Sequence, residues 1–163
     1  MTDTTTSELW ELLEAVKDPE VPVISVVELG VVRHIEQQPD GIHITITPTY
    51  SGCPAMQVME DDMRACLSEH GYDSVHFTTV LSPPWTTDWL TASAREKLLE
   101  YGIAPPEQAT SDKSFLTGQP KSVTCPLCGS KDSVMLSQFG STACKALYKC
   151  NNCLEPFDYF KCL

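Results

Sequence analysis

Four of the eight cysteines in this 163-residue chain are spaced to share one ion. Cys125-Pro126-Leu127-Cys128-Gly129 and Cys150-Asn151-Asn152-Cys153 are Cys-x-x-Cys turns separated by 21 residues. One such turn presents two thiolates to a metal, and a second turn completes a tetrahedron. The glycine after the first pair relieves the crowded backbone of the turn. Zn2+ is the ion expected of a closed sulfur site, with iron as the alternative, because spacing alone does not separate the two. Val134, Met135 and Leu136, and then Ala146, Leu147 and Tyr148, read as strands between the pairs, so residues 123–163 read as a zinc ribbon. A unit of about forty residues has too small a core to be stable without a staple, so the metal is expected to be structural and a condition of folding. Cys144 and Cys162 are left over once four ligands are assigned. They read either as small buried hydrophobes or as a second thiol site that passes or senses metal.

A second kind of chemistry is offered by Cys53, in Thr47-Pro48-Thr49-Tyr50-Ser51-Gly52-Cys53-Pro54-Ala55. Pro54 suits the first position of a helix, which places Cys53 at or beside the N-cap. The unpaired N–H groups and positive dipole end there favour a thiolate, able to ligate soft metal or an iron–sulfur cluster. No Lys or Arg lies within six positions, so the activation is modest, and a packed capping cysteine is the plainer alternative. His34, His43, His70 and His76 are scattered along the chain, which argues against a Cys–His nucleophile. Asp18, Glu20 and Glu28 sit among prolines and glycine, where turn and cap roles outweigh acid–base work. Trp85 and Trp89 read as aromatic core before they read as a binding surface.

Whole-chain properties narrow the classes further. The formal net charge is −11, and the charge is uneven: residues 1–119 carry 19 acidic and 6 basic side chains, residues 120–163 carry 3 and 5. Such an acidic surface disfavours a phosphate backbone as partner, so no nucleic acid is expected. There is no signal-peptide pattern and no apolar run of the ~20 residues that span a bilayer. A cytoplasmic, reducing location follows as the expectation, in which cysteines serve metals rather than disulfides.

These groups must be carried by a framework that the hydrophobic pattern outlines. Leu9, Trp10, Leu12, Leu13 and Val16 recur at helical spacing, and Asp18-Pro19-Glu20-Val21-Pro22-Val23 stops that helix. Residues 31–37 and 42–47 read as an antiparallel hairpin about Pro39-Asp40-Gly41. Met56, Met59, Met63, Cys66 and Leu67 form the stripe of a second helix, residues 75–81 a third strand, and residues 91–101 a third helix with Leu90, Ala94, Leu98 and Tyr101 on one side. Gly102 and Pro105-Pro106 end it. Residues 107–122 are polar and aperiodic, as a linker is. The expected architecture is α+β: a small mixed sheet packed with three helices over 1–106, a linker over 107–122, and the ribbon over 123–163.

Several tags resemble the SufT-like iron–sulfur assembly domain family: Asp18-Pro19-Glu20-Val21-Pro22, Glu28-Leu29-Gly30-Val31-Val32, the Thr47 to Pro54 segment, and Ala94-Arg95 through Pro105-Pro106. The Thr47 to Ala55 segment, Pro84-Trp85-Thr86-Thr87-Asp88-Trp89, Phe139-Gly140-Ser141-Thr142-Ala143-Cys144-Lys145-Ala146-Leu147-Tyr148 and the Glu155 to Cys162 ending are similar to the phenylacetate-degradation protein D family. These are accessory proteins encoded with a phenylacetyl-CoA epoxidase, a multicomponent di-iron monooxygenase. The resemblance implies a non-catalytic role in aromatic-compound degradation, assembling or delivering an iron–sulfur cluster to that system, with its iron–sulfur and flavin reductase as client. It implies Cys53 as the cluster-handling thiol and Asp18 and Glu20 as shapers of the adjacent loop. One cysteine cannot complete four-fold ligation, so a homodimer or a client thiol is implied as well. A structural component of the oxygenase without a cluster is the alternative, and a thiol-dependent transferase ranks last.

Overall fold

The computed structural model describes residues 6–106 and 122–161. The chain divides into two compact units, Met1–Ala94 and Arg95–Leu163. The expected first domain runs to 106, twelve residues beyond that division, and nearly all of the expected linker lies outside the described residues.

The first unit begins with helix α1 (Thr6–Leu13), which buries Leu9 and Leu13. Val16 is buried as the stripe requires but lies beyond the helix, because Ala15 and Val16 donate to the carbonyls three residues back, at 3.2 and 3.1 Å. Tightening to that spacing is how a helix closes its last turn. The proline-rich segment then doubles back: Asp18 N–H donates to the Ile24 carbonyl at 2.9 Å and Val26 N–H to the Val16 carbonyl at 3.0 Å.

Strands β1 (Val32–Gln38) and β2 (Gly41–Ile46) form the expected antiparallel hairpin. Ile42, Ile44 and Ile46 are buried while Gly41, His43 and Thr45 between them are half-buried, the period-two signature of a strand with one face on a core. Gly41 has φ +140°, and a Cβ there would collide with the Ser74 carbonyl oxygen, so only glycine fits. Helix α2 (Ala55–Glu69) buries Ala55, Met59, Met63 and Leu67; Met56 and Cys66, expected on the same stripe, are half-buried at its edge. The chain returns as β3 (Val75–Thr79), parallel to β2, so α2 is the crossover between parallel neighbours and the strand order is β1-β2-β3.

A 3-10 turn at Thr87–Trp89, which no pattern announced, follows the Pro83-Pro84 segment, with the Thr86 hydroxyl accepting from Asp88 N–H. Trp85 is buried and its Nε1–H donates to the Leu29 carbonyl at 2.9 Å, the satisfied core aromatic expected of it. Helix α3 (Ala92–Glu100) straddles the division between units. Leu90, Ala94 and Leu98 are buried as its pattern requires, whereas Tyr101 is 54% exposed. Tyr101 lies past the last helical residue, where Gly102 at φ +85° turns the chain away.

The second unit holds a four-stranded sheet of β4 (Ile103–Ala104), β5 (Ser133–Ser137), β6 (Lys145–Cys150) and β7 (Pro156–Phe160), in the order β4-β7-β6-β5. Strands β5 and β6 match the ribbon strands expected from sequence. Strand β4 is the physical reason the expected boundary at 106 does not coincide with the compact units: Ile103 and Ala104 pair in parallel with Asp158 and Tyr159 and cover an otherwise open edge. The small core is Ala104, Val123, Cys125, Ala146, Tyr148, Cys150 and Phe157. Tyr148 stacks on Phe157 at 5.9 Å and meets Tyr159 edge-on at 5.7 Å. The α+β class, three helices with mixed sheets and a ribbon, stands as expected.

Candidate metal centre and thiol site

The four predicted ligands come together. One sulfur each from Cys125, Cys128, Cys150 and Cys153 lies within 4.8 Å of the others, with Cys125 Sγ 3.8 Å from Cys153 Sγ and Cys128 Sγ 3.5 Å from Cys150 Sγ. A tetrahedral zinc at the usual Zn–S length of ~2.3 Å sets sulfurs ~3.8 Å apart, so the donor set fits that ion; a disulfide would need ~2.05 Å. All four are free thiols.

Each pair is shaped by a backbone knuckle. In the first, Gly129 N–H donates to the Cys125 carbonyl at 2.9 Å, Cys125 N–H to the Ser130 carbonyl at 2.8 Å, and Leu127 N–H points at Cys125 Sγ at 3.4 Å. In the second, Cys150 N–H donates to the Glu155 carbonyl at 3.0 Å and Cys153 N–H points at Cys150 Sγ at 3.5 Å. N–H groups aimed at sulfur stabilise its ionised form. Both knuckles close on a residue at positive φ: Gly129 at +76° and Leu154 at +67°. The sequence shows the first and hides the second, because leucine rarely adopts that backbone.

The ionisation of the bare sulfurs is conflicted. Cys128 is pushed down to about 6, first by the backbone N–H of Ser130 and also by Cys150 and Asn152. At Cys153 the Glu155 N–H pulls the other way, but burial and the neighbouring sulfurs win and push it up to about 12. Four thiolates this close repel one another, and a bound dication removes the conflict. The spacing of the four sulfurs fits a structural zinc, which Cys125, Cys128, Cys150 and Cys153 would hold.

Cys144 stands apart from this group. It is buried, its Sγ lies 3.1 Å from the Thr142 hydroxyl, and its carbonyl accepts from Lys161 N–H at 2.9 Å. Cys162 lies outside the described residues.

In the first unit, Cys53 lies immediately before Pro54, the residue that caps α2 with φ −69°. It is 8% exposed, less open than a readily accessible thiol, although Ser51, Gly52 and Pro54 around it are exposed. Its N–H donates to the Tyr50 carbonyl and its carbonyl accepts from Met56 N–H, both at 3.3 Å, which fixes the loop against the helix start.

Asp18 is buried, and its Oδ1 accepts from the N–H groups of Glu20 at 2.6 Å and Val21 at 2.9 Å; Glu20 itself is half-buried. The carboxylate holds its own loop in shape, as a turn-capping aspartate does. Sequence reasoning missed Ser25. With Glu28 it forms a reciprocal cap: Ser25 N–H donates to Glu28 Oε2 at 3.0 Å, and Glu28 N–H to Ser25 Oγ at 2.9 Å. Ser93 Oγ donates to Glu28 Oε1 at 2.7 Å, and Ser25 Oγ to Glu14 Oε2 at 2.6 Å. The Ser-x-x-Glu spacing was the available signal. The turn and cap roles expected of Asp18 and Glu28 are the ones their hydrogen bonds serve.

Comparison with known proteins agrees with this two-part construction. Residues 6–75 match the family model described as iron–sulfur cluster assembly protein, and residues 109–161 match the PaaD zinc beta ribbon domain. A protein of Escherichia coli K12, provisionally named as the D component of 1,2-phenylacetyl-CoA epoxidase, is 47% identical over 96% of this chain and 92% of its own length. The iron–sulfur protein maturation auxiliary factor YitW of Bacillus subtilis 168 is 38% identical over 51% of this chain and 82% of its own. A solved domain of unknown function (DUF59) from Bacillus anthracis superposes with a TM-score of 0.53 at 29% identity, over 56% of this chain and 89% of that one. An assembly-type domain joined to a zinc ribbon, matched nearly end to end, means that the chain belongs to the family of this D component of phenylacetyl-CoA epoxidase.

Proposed function

We propose that this protein is an accessory component of phenylacetate degradation that assembles or delivers an iron–sulfur cluster to the phenylacetyl-CoA ring 1,2-epoxidase system, with the iron–sulfur reductase as client. The observation that carries this reading is the assembly-family match over 6–75, a span that includes Cys53 at the start of α2. It is supported by relatives named for iron–sulfur maturation and for the epoxidase. Cys53 contributes one thiolate to a labile cluster, while Asp18, with Glu20 beside it, keeps the neighbouring loop in shape. The remaining ligands come from a second copy or from client thiols. Delivery exchanges one set of thiolates for another and changes no oxidation state. The zinc ribbon either docks the protein on its client or helps form the cluster site through Cys144 or Cys162, and the protein does no catalysis of its own.

The test is anaerobic reconstitution of the zinc-loaded chain with iron and sulfide, followed by mixing with reductase that lacks its cluster. The expected result is visible cluster absorbance that passes to the reductase and that Cys53→Ala abolishes. Absorbance and transfer unchanged in that variant would overturn the role of Cys53.

The 8% exposure of Cys53 favours a second reading, a structural component of the oxygenase that carries no cluster. Stoichiometric co-purification with the oxygenase, without bound iron or acid-labile sulfide, would establish it instead.

A further inference from the structure

The histidines that are scattered in sequence are not all scattered in space. In the parallel ladder of β2 and β3, His43 lies directly across from His76. Neighbours so paired project to one face, and here it is the face away from the core that Ile42, Ile44 and Val75 enter. The two imidazoles stack with centroids 4.7 Å apart and an interplanar angle of 30°. Both Nε2 atoms face Asp40: His43 Nε2 is 2.9 Å from Asp40 Oδ1, and His76 Nε2 lies 3.3 Å from Ser74 Oγ, 3.4 Å from the Asp40 carbonyl and 3.9 Å from Asp40 Oδ2.

The backbone of Asp40 is braced by its turn. Ser74 Oγ donates to the Asp40 carbonyl at 2.6 Å, and Ile42 N–H donates to the Ser74 carbonyl at 2.9 Å. Gly41 makes that approach possible, since any side chain there would strike Ser74. The three residues thus stand on two strands and a braced turn, not on a mobile loop.

We infer that Asp40, His43 and His76 form an exchangeable site for a borderline divalent first-row metal ion on the surface of the first unit. One donor atom from each lies within 4.8 Å of the others. A metal with ligands at ~2.1 Å sets its donors ~3.0 Å apart at right angles and ~3.4 Å apart in a tetrahedron, so donors within 4.8 Å of one another close on it by rotation of the imidazole rings and the carboxylate. Two imidazoles and one carboxylate suit Zn2+ or Fe2+ and leave positions for water, whereas Mg2+ prefers oxygen alone. The side chains of Asp40, His43 and His76 are 63%, 28% and 48% exposed, so an ion enters from solvent and leaves again. Glu36, opposite His43 on β1, adds a carboxylate beside the site.

The test is a titration of the full chain, its ribbon already zinc-loaded, with further Zn2+, followed by the imidazole proton resonances. One added equivalent is expected to shift His43 and His76 and to leave the exposed His34 and His70 in place, and Mg2+ is expected to do nothing. His43→Gln and His76→Gln, each checked for an unchanged melting profile, are expected to weaken binding by ~10-fold or more. Equal response of all four histidines, no response at millimolar Zn2+, the same shifts with Mg2+, or parent-like binding by both variants would each overturn the site.

Discussion

The two units of this molecule secure their structure by different means. The first encloses Leu9, Leu13, Ile44, Ile46, Met59, Met63 and Leu67, all nearly fully buried, between two helices and a three-stranded sheet. The second has a smaller core, and two members of its central cluster, Cys125 and Cys150, belong to the four-sulfur group. Where apolar area suffices, polar groups such as Asp18 and Glu28 shape loops. Where it does not, thiolates are the framework itself. A core made partly of sulfur donors would couple folding to metal supply, which a core of methionines and leucines does not.

The largest effect expected of this contrast follows metal removal. Chelation, or Cys150→Ser, should unfold the second unit almost completely, since apparent binding energies for such sites are on the order of 10–16 kcal/mol. Amide exchange should then lose protection in β5 to β7 while β2 and α2 keep theirs. Retained protection in the ribbon strands would erase the distinction. The converse lesion is Met63→Ala, which should destabilise the first unit by about 2–5 kcal/mol and leave metal content unchanged. A thermal melt paired with metal analysis reads both.

A finer comparison sets one knuckle against the other. Gly129→Ala should destabilise the ribbon by about 1–2 kcal/mol, from backbone strain alone, because a Cβ there meets nothing within 4 Å. Leu154→Gly should instead relieve strain and stabilise the ribbon by up to about 1 kcal/mol, read as a higher midpoint in a chelator titration. Opposite signs are the prediction, and equal signs would mean that the two turns are not equivalent.

The smallest effect concerns pH. His43 donates to Asp40 and holds its carboxyl below the ordinary 3.8 in the folded state. As pH falls the unfolded chain takes up that proton first, so the stabilisation is complete above pH about 4 and is lost as pH falls through the lowered folded value. The stability difference between the parent and Asp40→Asn should be present at pH about 5 and vanish in acid. A difference that persists in acid would detach Asp40 from His43.

Legibility followed the range of the interactions. The hairpin of β1 and β2 and the helix α2 are local patterns, read from alternation and from a four-residue spacing of buried side chains. Tyr101 departs from its pattern because the apolar spacing runs one residue past the last helical position, to the glycine that redirects the chain. Strand β4 has no signature in the sequence because two residues between a glycine and two prolines carry no periodicity of their own, and only β7 makes them a strand. Cys53 was legible as a residue at a helix start, while its 8% exposure depends on how the Tyr50 to Gly52 loop packs.

The sequence by itself determined the four-sulfur centre, because a Cys-x-x-Cys turn brings its two thiolates together within four residues and a second repeats the arrangement. The meeting of Asp40, His43 and His76 was decided only by the tertiary structure. His43 and His76 stand 33 positions apart, and nothing in either segment says that β3 lies parallel to β2 in that register. The crossover through α2, with its apolar face packed on the core, is what sets them side by side.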